Sequence, residues 1–141
     1  MQSVKVAARH LVLAVSLLLA TGCYWSRYSE VMAMHLELLD QYSRKLQSLS
    51  ASGRTVALED WAEFVYPLER ARDFARIAAQ RYPDLDSLAR FREVLERYAA
   101  VVDDPGVLSA PDGGKRLAAE VAALEKSIEA TRRALEREES S

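Results

Sequence analysis

The sequence predicts an all-α fold, an antiparallel four-helix bundle or a set of helical hairpins, and three observations predict it. Half of the 141 residues are hydrophobic while only five are Gly and four are Pro, a composition suited to a packed core rather than to disorder. Apolar side chains recur at three- and four-residue steps in four separate stretches, the period of a helix. No stretch alternates apolar and polar residues over the length of a strand.

The first helix is expected from about Tyr28 to Ser50, with Tyr28, Val31, His35, Leu38, Tyr42, Leu46 and Leu49 on one face. Ser50-Ala51-Ser52-Gly53 should stop it, with Gly just past the last turn. The second runs from about Ala57 to Tyr82, with a stripe of Leu58, Trp61, Val65, Leu68, Ala71, Ala75, Ala78 and Tyr82. Pro67 interrupts it, removing one backbone donor and crowding the carbonyl of Glu63, so a kink at Pro67 or a break near Tyr66 is expected. Pro83-Asp84 ends the segment, and Asp84 is the expected N-cap of the next helix.

Helix three, about Leu85 to Val102, carries Leu88, Phe91, Leu95, Tyr98 and Val102, and Asp103-Asp104-Pro105-Gly106 breaks it. Helix four, about Lys115 to Arg137, carries Leu117, Val121, Leu124, Ile128, Thr131 and Leu135 at strict four-three spacing, the seam of a coiled-coil-like partner. Arg116–Glu120, Glu129–Arg133 and Arg132–Glu136 are spaced to pair on its exposed flank, and Glu138–Ser141 should fray. Four one-sided helices on short loops are best satisfied by a bundle. The alternative is an extended hairpin that completes its core only with another chain.

The N-terminal segment has a different character. Met1–His10 holds Lys5 and Arg9 with no acid, Leu11–Ala20 reads LVLAVSLLLA, and small residues lead into Thr21-Gly22-Cys23. A charged start, a short apolar middle and a small-residue exit form the layout of a secretory signal. Even extended to Trp25, the apolar run falls short of the roughly 20 residues a spanning helix needs. The competing reading is an uncleaved signal anchor. Cys23 is the only cysteine, so no internal disulfide can form.

Leu19-Ala20-Thr21-Gly22-Cys23 resembles the lipobox of bacterial lipoproteins, in which a small residue precedes an invariant Cys. The resemblance covers residues 1–23 only. It departs at Ala20, where the strongest form has Leu; Ala is tolerated there at lower efficiency. The resemblance implies a cleaved signal peptide over residues 1–22, diacylglycerol on the Cys23 thiol, and a further acyl chain such as palmitate on the new amine. A single domain over residues 23–141 would then be anchored by several chains, each contributing ~0.8 kcal/mol per buried methylene. In Gram-negative cells an Asp after the Cys commonly retains the protein in the inner membrane. Tyr24 is not Asp, so the resemblance implies the outer membrane, with the domain in the periplasm.

No Gly/Ser tether follows Cys23. Tyr24, Trp25, Arg27 and Tyr28 come at once, side chains suited to the headgroup layer, and they are the expected membrane interface. The competing reading packs these aromatics on the bundle.

Beyond Cys23, candidate chemistry is sparse. His35, the one histidine after the signal, lies in the first apolar stripe, where a satisfied core histidine is the plainer account than a catalyst or ligand. With Cys23 acylated, no second Cys or His remains for a zinc site, and no metal or cofactor is expected. Asp84-x-Asp86 lacks the Gly and the acid of a calcium loop at Ala89 and Leu95. Gly113-Gly114-Lys115 is followed by Arg116, where a phosphate loop requires Ser or Thr. Glu59, Asp60 and Glu63 fall in the first turns of a helix, where acids favour the dipole.

Without residues 1–22 the chain has 17 basic and 21 acidic side chains, a formal charge of −4 that excludes an electrostatic footprint for nucleic acid. The expectation is a non-enzymatic interaction or scaffolding protein, membrane-anchored in the envelope, holding membrane lipid through Cys23 and a protein partner through its helices. An alternative is a chaperone that resembles, in architecture, the pilotins of outer-membrane secretion pores, although those often carry a disulfide. An enzyme using His35 or an acidic cluster is the third reading.

Overall fold

The computed structural model describes the backbone from Gln2 and the side chains from Arg27 to Ser141. It is an all-α helical bundle. The elements are α1 (Gln2–Ala51), a 3-10 turn (Leu58–Asp60), α2 (Ala62–Arg81), α3 (Asp86–Val102), a second 3-10 turn (Pro105–Leu108) and α4 (Gly113–Glu139), with no strand among the described residues. The chain divides into two compact units, Met1–Met32 and Ala33–Ser141. The bundle described below is the second. The expected signal segment lies outside the residues described in side-chain detail.

Side-chain pairs fix the order of packing. Lys45 pairs with Glu63, Tyr42 sets its ring edge-on to Phe64 at 5.9 Å, and His35 lies 5.2 Å from Phe74. As α1 advances α2 therefore retreats, and the two are antiparallel. Trp61 reaches Val102, Tyr98 reaches Phe64 and Phe74 meets Phe91, which makes α2 and α3 antiparallel in turn. Arg137 binds Asp86 and Glu138 binds Ser87, so α4 runs back along α3. Arg132–Glu37 at 3.2 Å and Arg44–Glu125 at 3.4 Å close the ring between α4 and α1, the two pairs standing two turns apart on each helix. The result is an up-down-up-down bundle that completes its core within one chain. The extended hairpin is excluded.

The stripes of α3 and α4 are buried as expected. Leu88, Phe91, Leu95, Tyr98 and Val102 on one, and Leu117, Val121, Leu124, Ile128, Thr131 and Leu135 on the other, are all in the core. Burying a Leu, Ile or Phe contributes about 1.5–3 kcal/mol each, which is what holds the helices together. The face of α1 is rotated from the expected one. His35, Leu36, Leu39, Ser43 and Leu46 point inward, while Leu38, Tyr42 and Leu49 are half-buried on its flank. A serine in the core hid this face from a hydrophobic reading. Ser43 is satisfied by donating its hydroxyl to the Asp40 carbonyl at 2.8 Å.

Helix α2 begins at Ala62, not Ala57, after the 3-10 turn that carries Leu58 to 76% exposure and out of the expected stripe. It continues through Pro67, so the break expected near Tyr66 is absent. Pro67 itself is buried.

The ends of α1 and α4 show why glycine stands where it does. Gly53, at φ 66°, closes α1 with Arg54 N–H on the Leu49 carbonyl and Gly53 N–H on the Ser50 carbonyl, the paired bonds of a Schellman motif. Gly113 opens α4 against the second 3-10 turn, where a Cβ would fall 1.7 Å from the Val107 carbonyl oxygen.

Two end-of-helix expectations are corrected. The N-cap of α3 is Leu85, which makes no side-chain bond; Asp84 does not cap it. Glu138, expected to fray, instead accepts the Ser87 N–H at 3.0 Å from 51 residues away. A carboxylate from α4 thus satisfies one of the orphan donors of α3. Of the three ion pairs expected along α4, Arg133–Glu129 forms at 3.3 Å. Arg116 turns to Asp104 at 3.7 Å and Arg132 to Glu37 at 3.2 Å, each pairing with a neighbouring element.

Candidate functional site

The expected anchor, Cys23, and its neighbours Tyr24 and Trp25 lie outside the residues whose side chains are described. Of the other two interface candidates, Arg27 is exposed and Tyr28 is 4% exposed.

His35 is 7% exposed and sits in an aromatic pocket, 5.2 Å from the Phe74 ring and 6.3 Å from Phe91. Phe74 and Phe91 meet edge to face at 5.7 Å beneath it. Burial lowers the pKa of His35 from the ordinary 6.5, and the positive charge of Arg70 lowers it further. The neutral imidazole therefore acts as a flat, weakly polar ring filling the α1–α2–α3 core. Among the described residues, no three His, Cys, Asp or Glu side chains gather closely enough to hold a metal ion.

The acidic candidates are separated. Glu59 and Asp60 stand exposed on the first 3-10 turn. Glu63 opens α2 and is bound by Lys45, whose ammonium also lies 5.6 Å above the Phe64 ring. Asp86 is held at 2.8 Å by Arg90 and at 3.2 Å by Arg137, and the Arg90 hydrogen bond together with both charges keeps its carboxyl below the ordinary range. Gly113 serves the close approach of α4 to the preceding turn, while a Cβ on Gly114 would make only an ordinary contact with the Ser50 hydroxyl at the end of α1.

Two buried bonds that residue spacing did not reveal join α2 and its N-cap residue Trp61 to α3. The Trp61 indole N–H donates to the Val102 carbonyl at 3.0 Å, satisfying an acceptor at the last residue of α3. The Tyr98 hydroxyl donates to the Phe64 carbonyl at 2.7 Å, three residues before Pro67. Burial pushes the Tyr98 phenol well above its ordinary pKa, so it remains a donor.

An open groove of about 410 Å³ runs between α3 and α4, floored by Ala119, Ala122, Ala123 and Ala130. The Arg90 and Arg97 guanidinium groups on its edge are already engaged by Asp86 and Glu93. No helix among the described residues is long and apolar enough to cross a membrane. Comparison with protein-family models, with curated proteins and with solved structures gave no match.

Proposed function

We propose that the chain is a bacterial lipoprotein of the cell envelope, anchored through acylated Cys23, whose helical domain binds a protein partner rather than a substrate. The observation that carries this reading is the N-terminal sequence, in which a basic start and the run LVLAVSLLLA end in small residues one step before the only cysteine. Supporting it, the bundle satisfies its own core, and His35 is used as packing in an aromatic pocket. The absence of a Gly/Ser tether after Cys23 would hold the helices close to the bilayer, with Tyr24 and Trp25 in the headgroup layer. In a cell with two membranes, Tyr24 in place of Asp favours the outer one.

The test is fractionation. Cys23→Ser should move the protein out of the membrane fraction and abolish metabolic labelling with palmitate; unchanged fractionation and no labelling of the parent chain would sink the anchor. Crosslinking on intact cells should then capture a stoichiometric partner.

A further inference from the structure

Closing the bundle leaves one helix face unexplained. Among the described residues four large hydrophobic side chains are exposed, Met34 at 52%, Leu58 at 76%, Tyr66 at 61% and Ile77 at 54%. Two of them share α2 with a pair of opposite charges. Tyr66, Arg70, Asp73 and Ile77 follow one another at steps of four, three and four, which aligns them on one face of a helix with 3.6 residues per turn. All four are exposed. They form a second seam, facing away from the core seam of Phe64, Leu68, Ala71, Ala75 and Ala78. Because His35 stands beside Phe74, the register of α1 brings Met34 level with the Ile77 end of this seam.

The order along the seam is apolar, cation, anion, apolar. Reversed, it is complementary to itself. Two α2 helices laid antiparallel about a twofold axis set Tyr66 of one protomer against Ile77 of its partner, and Arg70 against Asp73, each contact occurring twice. A parallel pairing in register would instead oppose Arg70 to Arg70 and Asp73 to Asp73. Within the chain, Arg70 makes no ion pair among the described residues, and Asp73 has only Arg76 at 3.5 Å, with both groups more than half exposed. Arg70 is thus available, and the Asp73 carboxylate keeps acceptor capacity for a second guanidinium. The central charges also argue against lipid as the occupant, since a bilayer would strip their water without pairing them. Tyr, Met and Arg are residue types enriched where proteins meet.

We infer that the outer face of α2 is the interface of a homodimer, two copies of this chain packed antiparallel through Tyr66, Arg70, Asp73 and Ile77 with Met34 at the margin. The partner sought by the helical domain is therefore, in the first instance, a second copy. Failure of the dimer would leave the Cys23 fractionation result untouched, and the reverse holds too.

Charge reversal tests this on the full chain in mild detergent, with mass read by light scattering during gel filtration. The parent should be dimeric at micromolar concentration. Arg70→Asp and Asp73→Arg, each of which sets like charges together twice, should weaken association about tenfold or more. The double variant carrying both changes should recover most of it, and Arg92→Asp on α3 should behave as the parent. A monomeric parent, or a double variant no better than the singles, would overturn the proposal. Far-UV circular dichroism checks that each variant is folded. Register is read separately in a Cys23→Ser background, where a short bis-maleimide should link Tyr66→Cys chains to Ile77→Cys chains. Preferential linking of Tyr66→Cys to itself would overturn the antiparallel arrangement.

Discussion

The Tyr98 hydroxyl gives the sharpest test of how α2 is held. Tyr98 is fully buried, and its O–H donates at 2.7 Å to the Phe64 carbonyl. Tyr98→Phe removes that donor while keeping the ring, so no cavity contributes. A neutral hydrogen bond is worth about 0.5–1.5 kcal/mol net. The Phe64 carbonyl lies in the first turn of α2, where its ordinary helical donor is the Leu68 N–H, so the loss should stay near ~1 kcal/mol rather than reach the ~1–3 kcal/mol cost of an orphaned buried group. For a domain of this size ~1 kcal/mol lowers Tm by about 3–6 °C.

Pro67 adds a second arm, because its ring crowds the carbonyl of Glu63 and strains the turn that contains Phe64. If the Tyr98 bond supports that turn, its loss should cost less in a Pro67→Ala background, and a double-mutant cycle measures the difference. The assay is thermal melting of the full chain in mild detergent, followed by far-UV circular dichroism. An unchanged or raised Tm for Tyr98→Phe would refute the reasoning, and equal costs in both backgrounds would refute the coupling to Pro67.

Two further perturbations follow from the packing. Gly113→Ala places a methyl 1.7 Å from the Val107 carbonyl oxygen, a contact with backbone that only movement of α4 or the preceding turn can relieve. The expected loss is about 1–3 kcal/mol, seen as a lowered Tm, and a neutral result would show that this junction is loosely held. His35 sets a pH dependence. Its folded-state pKa lies below the ordinary 6.5, so the unfolded chain takes up the proton more readily. Its effect is absent above about pH 7.5, destabilises the fold as pH falls through 6.5, and levels off below the folded-state pKa. Substituting His35→Gln should flatten the part of the Tm–pH curve between pH 7.5 and 5 relative to the parent. Parallel curves would show that His35 titrates equally in both states.

The legible parts of the fold were those where one helix carries one apolar face. On α3 and α4 the four-three spacing admits a single stripe, and the core residues, the helix limits and the intervening breaks could be read within a residue or two. Gly53 was legible for a local reason, since the end of α1 needs a backbone conformation that glycine adopts without strain. Helix α1 was harder because Leu36 and Leu39 compete with Leu38, Tyr42 and Leu49 for the inward face. Local spacing cannot choose between adjoining apolar faces; the three opposing helices do. Helix α2 carries two seams, and the inner one drew attention away from Tyr66, Arg70, Asp73 and Ile77.

The anchor expectation rests wholly on sequence, since a charged segment, an apolar run and a lone Cys23 are contiguous and need no fold to be recognised. The contacts that join distant segments stand at the other extreme. Glu138 capping α3 from 51 residues away, Arg132 turning from Glu136 to Glu37, and Tyr98 reaching Phe64 depend on which helices become neighbours. The sequence by itself determined the number of helices in the bundle, the limits of α3 and α4, the glycine stop of α1 and the candidate lipid site, because those follow from local spacing and backbone preference. Only the tertiary structure decided which face of α1 turns inward, who caps α3, and which face of α2 is left over, because each depends on distances across the bundle.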